Sequence, residues 1–331
     1  RVLPGEQPGE VVLVGAGDVT LAAGGDGYYP GAASLDDLAR QLKRTHPEPI
    51  TTVTVDSSRY AGPTTAQGWD ADVASGGYGA PVTPLAVDAA RVTPTDDRRS
   101  SSPDLDTGRV LAQRLAAPGT SVRVELNRDG GGDPFAPLTE PTPLATVESP
   151  PISQLVEIML SSSDNVIAES LARQVALAGG EPASFTGAAA AVRQALVGLG
   201  INLGATQFID GSGLSRDNRL STNLLAQLLN LAAQPGQGNL RSALTGLPVA
   251  GFTGTLHDRF DRGGSTAARS LVRAKTGSLS AVSSLAGTLT TEDGAVLAFA
   301  VIANGFAGNG GDTAERLLDE LAATIAGCGC R

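Results

Sequence analysis

Two short polar clusters hold the side chains with the most chemistry to offer. The first is Ser163-Asp164-Asn165, directly after Ser161 and Ser162. The second lies far downstream, at Arg273-Ala274-Lys275-Thr276-Gly277-Ser278. A lysine beside a serine can hold an anion and lower the serine's hold on its proton. Asn165 can donate from its amide to a carbonyl and accept from an amine. On a regular strand, Arg273, Lys275 and Gly277 share one face and Thr276 lies on the other. Gly277 would let an extended ligand lie close, and the Ser278 N–H could serve an oxyanion. An ordinary helix cap at Ser163 and Asn165, and a solvated strand lysine at Lys275, are the plainer alternatives. Order, spacing and element type together favour one joint site. The expectation is that Ser163 and Lys275 meet across a cleft between a helical layer and a sheet, about 3 Å apart or bridged by one water.

The elements that must position these clusters can be read from periodicity. Apolar residues at Ile152, Leu155, Val156, Met159 and Leu160 lead into the first cluster as an amphipathic helix. Val166, Ile167, Leu171, Val175 and Ala178 leave it as another. Further helical patterns cover 187–199 and 221–233. The runs 270–289 and 295–303 read as strands joined by a turn at 290–294. A final helix over 313–325 carries Leu317, Leu318, Leu321 and Ile325 on one stripe.

Before Ser149 the composition differs. Val11–Val14 and Thr51–Val55 read as strands, and Ser34 caps a helix through Leu42. The loop 57–81 carries Trp69, Asp70, Asp72 and Tyr78. A polar linker spans 93–103, a helix 105–115, a strand 122–126, and a mobile Gly/Pro-rich loop 129–143. The expected fold class is α+β, with an accessory region over 1–147 and a second domain over 148–331.

Bulk properties narrow the classes. A net charge of −10 argues against nucleic acid or an anionic membrane as partner. No apolar run is long enough to span a bilayer. With only His46 and His257, and both cysteines (Cys328, Cys330) near the C-terminus, no metal-ligand cluster can be assembled. The cysteines could bridge each other, pair elsewhere or stay unpaired. Gly15-Ala16-Gly17 after a strand lacks the third glycine and following helix of a dinucleotide site, and reads as a turn. No G-x-S-x-G elbow supports a Ser-His-Asp hydrolase. Lysine is scarce, Lys43 and Lys275 being the only two, so a lysine within K-T-G is less easily a chance match.

S-D-N followed by K-T-G is the second and third part of the signature of penicillin-binding proteins and serine β-lactamases. With Asp210-Gly211-Ser212-Gly213-Leu214-Ser215, Val14–Leu21, Val55-Asp56-Ser57-Ser58 and Gly68-Trp69 through Pro81, the chain resembles the class C low-molecular-mass penicillin-binding proteins. These are the D-alanyl-D-alanine carboxypeptidases and endopeptidases of the S13 peptidase family. The resemblance implies a β-lactamase/transpeptidase-like domain with an inserted, mainly β accessory domain. It implies an acyl-enzyme mechanism on peptidoglycan stem peptides ending in D-Ala-D-Ala, covalent inhibition by β-lactams, no cofactor, and export to the cell envelope, periplasmic space or exterior. Carried over residue by residue, Ser163 relays a proton to the leaving amine, and Asn165 holds the substrate amide. Lys275 and Thr276 bind the terminal carboxylate, beside Gly277, and the Ser278 N–H forms half of the oxyanion hole. Asp72, three residues after Trp69, meets the stem-peptide amine, with Asp70 as a competitor for that role. The first part of the signature, S-x-x-K, is missing: Arg40 and Val272 stand three residues before the two lysines. The nucleophile is therefore expected upstream of residue 1. The competing class is a non-catalytic module that binds peptidoglycan or a partner on the same scaffold.

Overall fold

The computed structural model describes residues 1–25, 27–128, 142–307 and 310–328, so most of the Gly/Pro-rich run 129–143, and Cys330, fall outside the described residues. Elements are numbered in chain order. One compact unit comprises Arg1–Pro151, Asn165–Ala195 and Phe208–Asn218, the other Ile152–Asp164, Leu196–Gln207 and Arg219–Arg331. These units interleave along the chain.

In the first unit, β1 (Val2–Pro4), β2 (Glu10–Val14), β4 (Thr52–Asp56) and β6 (Arg123–Asn127) form a sheet in the order β1-β2-β4-β6. β1 is antiparallel to β2, and the remaining pairs are parallel. Parallel neighbours need crossover connections, and α1 (Leu35–Thr45) and α2 (Pro103–Leu115) lie in them. The α1 start is fixed by Ser34, whose hydroxyl accepts from the Asp36 N–H. Leu35, Leu38 and Leu42 of α1 are buried with Val11, Leu13, Val53, Val55 and Leu111 in one core. A Cβ on Gly108 of α2 would stand 2.3 Å from the Val55 side chain, so that helix lies directly on the sheet. β3 (Asp18–Leu21) and β5 (Leu85–Val87) make a separate parallel pair, and Gly15-Ala16-Gly17 is the link from β2 to β3. The run 93–103, read from sequence as a linker, folds back inside this unit through an Arg91–Arg99 bridge and a Ser100 N–H to Ala90 carbonyl bond, and its last residue, Pro103, already begins α2. Two further helices follow: α4 (Asn165–Ala178) and α5 (Phe185–Gly198), the latter belonging here through Ala195.

The second unit has α3 (Ile152–Ser162), α6 (Thr222–Ala233), α7 (Arg241–Thr245) and an antiparallel sheet. Its strands β7 (Val272–Leu279), β8 (Val282–Thr290) and β9 (Val296–Asn304) are neighbours in that order. The run 270–289 is therefore two strands, reversed at Ser280-Ala281, with Ala281 at a φ of 63°. No Gly or Asn marks that reversal, which is why periodicity alone reads through it. The last helix, α8 (Gly311–Ala326), buries Ala314, Leu318, Ala322, Ala323 and Ala326. Leu317 and Leu321 remain 53% and 44% exposed, so the buried stripe is not the leucine stripe of the sequence. Small alanines let this helix close on the sheet, where Leu318 joins Leu256, Phe260, Val272, Ala274, Leu285 and Leu289. No described helix is long and apolar enough to cross a membrane. Cys328 is disulfide-bonded.

Candidate active site

Ser163 ends α3 in a conformation its residue type disfavours. Its φ is +56°, and the Asp164 N–H bonds the Met159 carbonyl at 3.1 Å. That six-residue closure is the pattern in which the left-handed position usually goes to glycine. A side chain there costs about 1–3 kcal/mol, a strain that tends to survive at functional sites. The strain lifts the hydroxyl off the helix end, where it accepts from Lys275 Nζ at 2.7 Å. The same ammonium donates to the Thr276 carbonyl, also at 2.7 Å. Both acceptors are neutral, and no described carboxylate pairs with Lys275. Burial pushes its pKa down to about 8, because the charge is desolvated without an opposite charge to offset it. The expected short distance between Ser163 and Lys275 is present within this unit.

The strand that carries Lys275 is half paired. On the side away from β8, Ala250 N–H bonds the Val272 carbonyl and Ala274 N–H bonds the Pro248 carbonyl, each at 2.9 Å. Antiparallel alternation then turns the N–H and C=O of Thr276 and Ser278 to that same edge. Beyond Ala274, no backbone bond to it is made among the described residues of this unit. An extended chain with a carboxylate end would find there two backbone donors beside an ammonium. Side chains alternate as the sequence implies: Val272 and Ala274 are buried in the core, and Lys275 lies on the other face. On the core-side face, Thr276 Oγ1 donates to Thr255 Oγ1 at 2.9 Å and Ser278 Oγ donates to Glu315 Oε1 at 2.9 Å. Gly277 is needed by the neighbouring strand, because a Cβ there would sit 2.4 Å from Ser284 Oγ. Gly254, at a φ of +54°, lets the loop before Thr255 approach the end of α3, where a Cβ would stand 2.3 Å from the Ser161 carbonyl.

The other candidate residues belong to the first unit. Asn165 opens α4, and its Nδ2 donates to the Tyr78 carbonyl at 2.7 Å. Asp72 is exposed, and its backbone carbonyl accepts from the Gly76 N–H. The neighbouring Asp70 is taken by Arg216, with Oδ1 at 2.9 Å from Nε and Oδ2 at 2.6 Å from Nη2, which holds the Asp70 pKa below its ordinary value. Their loop is tied down at Trp69, whose indole N–H donates to Asp210 Oδ2 at 2.8 Å. Asp210 also accepts from the backbone N–H groups of Gly213 and Ser215 and from Asn218 Nδ2. Beneath it, Glu169 Oε1 accepts from the N–H groups of Gly211 and Ser212. Burial, then the nearby Asp210 charge, raise the Glu169 pKa to about 7. Arg173 lies 4.0 Å from Glu169 and stacks over Phe185.

Sequence reasoning missed Thr255 and Glu315. Neither stands in a motif: Thr255 follows a glycine in a short loop, and Glu315 looks like any charged residue of an amphipathic helix. Only folding brings them to the Lys275 strand.

Comparison with known proteins gives consistent matches. The D-Ala-D-Ala carboxypeptidase 3 (S13) family matches residues 2–101 and 93–325. Carboxypeptidase DacB of Mycolicibacterium smegmatis is 43% identical over 330 residues, which is 98% of this chain and 69% of that protein. Carboxypeptidase Rv3627c of Mycobacterium tuberculosis is 42% identical over 339 residues, 100% of this chain and 70% of that protein. The crystal structure of penicillin binding protein 4 from Haemophilus influenzae aligns with a TM-score of 0.70 over 92% of this chain and 79% of that one. At 22% identity that likeness speaks for the fold, which is α+β and of the penicillin-binding type.

Proposed function

We propose that this chain, which belongs to the D-Ala-D-Ala carboxypeptidase 3 (S13) family, is a serine-type D-Ala-D-Ala carboxypeptidase of the cell envelope. Its substrate is the peptidoglycan stem peptide ending in D-Ala-D-Ala, and β-lactams acylate it in place of that peptide. Cleavage of cross-links by the same site would make it an endopeptidase as well. The observation that carries the reading is the 2.7 Å bond to a serine held in a strained conformation from a buried lysine that has no carboxylate partner among the described residues.

A serine Oγ attacks the carbonyl of the penultimate D-Ala, an oxyanion forms, and the C–N bond breaks as the leaving D-Ala amine gains a proton. Water then hydrolyses the ester and frees the enzyme. The attacking serine is assigned to sequence outside these residues, since none of their serines stands three residues ahead of a lysine. In the second unit, Ser163 passes the proton to the leaving amine. Lys275 keeps Ser163 polarised and, with Thr276, holds the terminal carboxylate. The Ser278 N–H meets the oxyanion, while Gly277 keeps the strand clear. In the first unit, Asn165 is assigned to the substrate amide and Asp72 to the amine of the stem-peptide side chain. Residues 1–147 are assigned as the accessory insert and 148–331 as the catalytic domain.

The test uses the protein with its full natural sequence. Exposure to a fluorescent penicillin should leave one covalent adduct, seen as an intact-mass increase, and a D-Ala-D-Ala peptide should release D-Ala. Peptide binding with neither adduct nor release would leave a non-catalytic binding module instead.

A further inference from the structure

The oxyanion donor assigned above is a backbone N–H, so its aim depends on what holds its residue. Ser278 stands next to the end of β7, one residue before the strand terminates at Leu279. Its N–H faces the edge away from β8, where no described backbone group of this unit holds it, and such a donor is well preorganised only if its residue is anchored by other contacts. Here the Ser278 side chain is tied across to α8: its Oγ donates to Glu315 Oε1 at 2.9 Å. Glu315 is in turn held by Arg259, with Nη1 3.4 Å from Oε2. Arg259 is itself fixed. Its Nε and Nη2 grip the two oxygens of Asp319 at 2.9 and 2.7 Å, and Nη2 also donates to the Glu315 carbonyl at 3.0 Å. Arg259 and Asp319 are largely buried, at 14% and 7% side-chain exposure. The chain of contacts Asp319–Arg259–Glu315–Ser278 thus runs from the buried middle of α8 to the last residues of β7.

We infer that Glu315 is a positioning residue for the acyl-transfer reaction, fixing Ser278 so that its backbone N–H points at the developing oxyanion. This rests on the carboxypeptidase reading. Glu315 touches no reacting atom; it acts through Ser278. Removing the tie should therefore lower the rate of the chemical step and leave ground-state substrate binding nearly unchanged, because an oxyanion donor works mainly in the transition state. Glutamine keeps a carbonyl oxygen that can accept from Ser278, so it should substitute even though it loses the charge on Arg259.

The experiment measures acylation by a fluorescent penicillin, together with kcat and KM for D-Ala release, in the full-length protein and three variants. Glu315→Ala should lower both acylation and kcat about 10-fold with little change in KM, less than the 10²–10³-fold of losing an oxyanion donor outright. Glu315→Gln should recover to within about twofold. Ser278→Ala cuts the same tie from its other end and keeps the N–H, so the double variant should be no slower than either single one. Wild-type rates in Glu315→Ala, no recovery in Glu315→Gln, or additive losses in the double variant would each overturn the role of Glu315. Failure of the unmutated full-length protein to acylate would instead overturn the carboxypeptidase reading itself.

Discussion

Two polar centres, one in each unit, contrast in how fully they are satisfied. Around Asp210 every carboxylate oxygen is occupied: one takes Trp69 Nε1 and the Ser215 N–H, the other the Gly213 N–H and Asn218 Nδ2. Around Lys275 an ammonium with three protons meets two neutral acceptors, Ser163 Oγ and the Thr276 carbonyl. A saturated centre has nothing left to offer a ligand and does its work in holding the loops 67–72 and 210–218. A desolvated cation whose two described partners are both neutral, beside a strand edge without a backbone partner among the described residues of its unit, is chemically suited to an anion. Local geometry repeats the contrast. The 210–215 loop gives its left-handed position to Gly213, whereas the α3 end gives it to Ser163. Loop 210–215 follows local preference; Ser163 departs from it.

The comparison predicts opposite balances of activity and stability. In the full-length protein, Lys275→Ala should reduce D-Ala release about 10²–10³-fold, the scale of losing a preorganised electrostatic partner. Its urea midpoint should hardly move, because removing a buried charge also removes its desolvation cost; equal loss of both would make Lys275 structural. Asp210→Ala should do the reverse. Stranding the indole, amide and backbone donors should cost about 3 kcal/mol of unfolding free energy, read from urea curves. A midpoint unchanged from wild type would show that water replaces the carboxylate and the hub is not structural. Smallest in energy, and most telling in sign, is Ser163→Gly. Relief of the left-handed strain should stabilise the fold by about 1 kcal/mol while D-Ala release falls. Destabilisation would mean that Ser163 is not strained where it sits.

Much of this was legible beforehand. The 3.6-residue spacing on either side of Ser163 located α3 and α4 within a residue or two. Ser34 announced the start of α1, and β-branched residues marked β4. Short-range interactions fix those features, so the local sequence contains them. The turn at Ser280-Ala281 escaped because it uses neither glycine nor asparagine. The buried face of α8 escaped because alanine and leucine compete for the core, and only the closeness of the sheet decides between them.

What the sequence determined by itself is the inventory: helices flanking a serine-rich joint, a lysine on a strand, and the two motifs that mark the family. Tertiary structure decided the contacts that no motif announces. It turned the motif-based expectation for Ser163 and Lys275 into a 2.7 Å bond, left Lys275 with no carboxylate partner among the described residues, left the β7 edge beyond Ala274 without a backbone partner among the described residues of its unit, and tied Ser278 to Glu315. These contacts join residues far apart in the chain. They depend on how helices and strands close on a common core, and no short window of sequence encodes that closure.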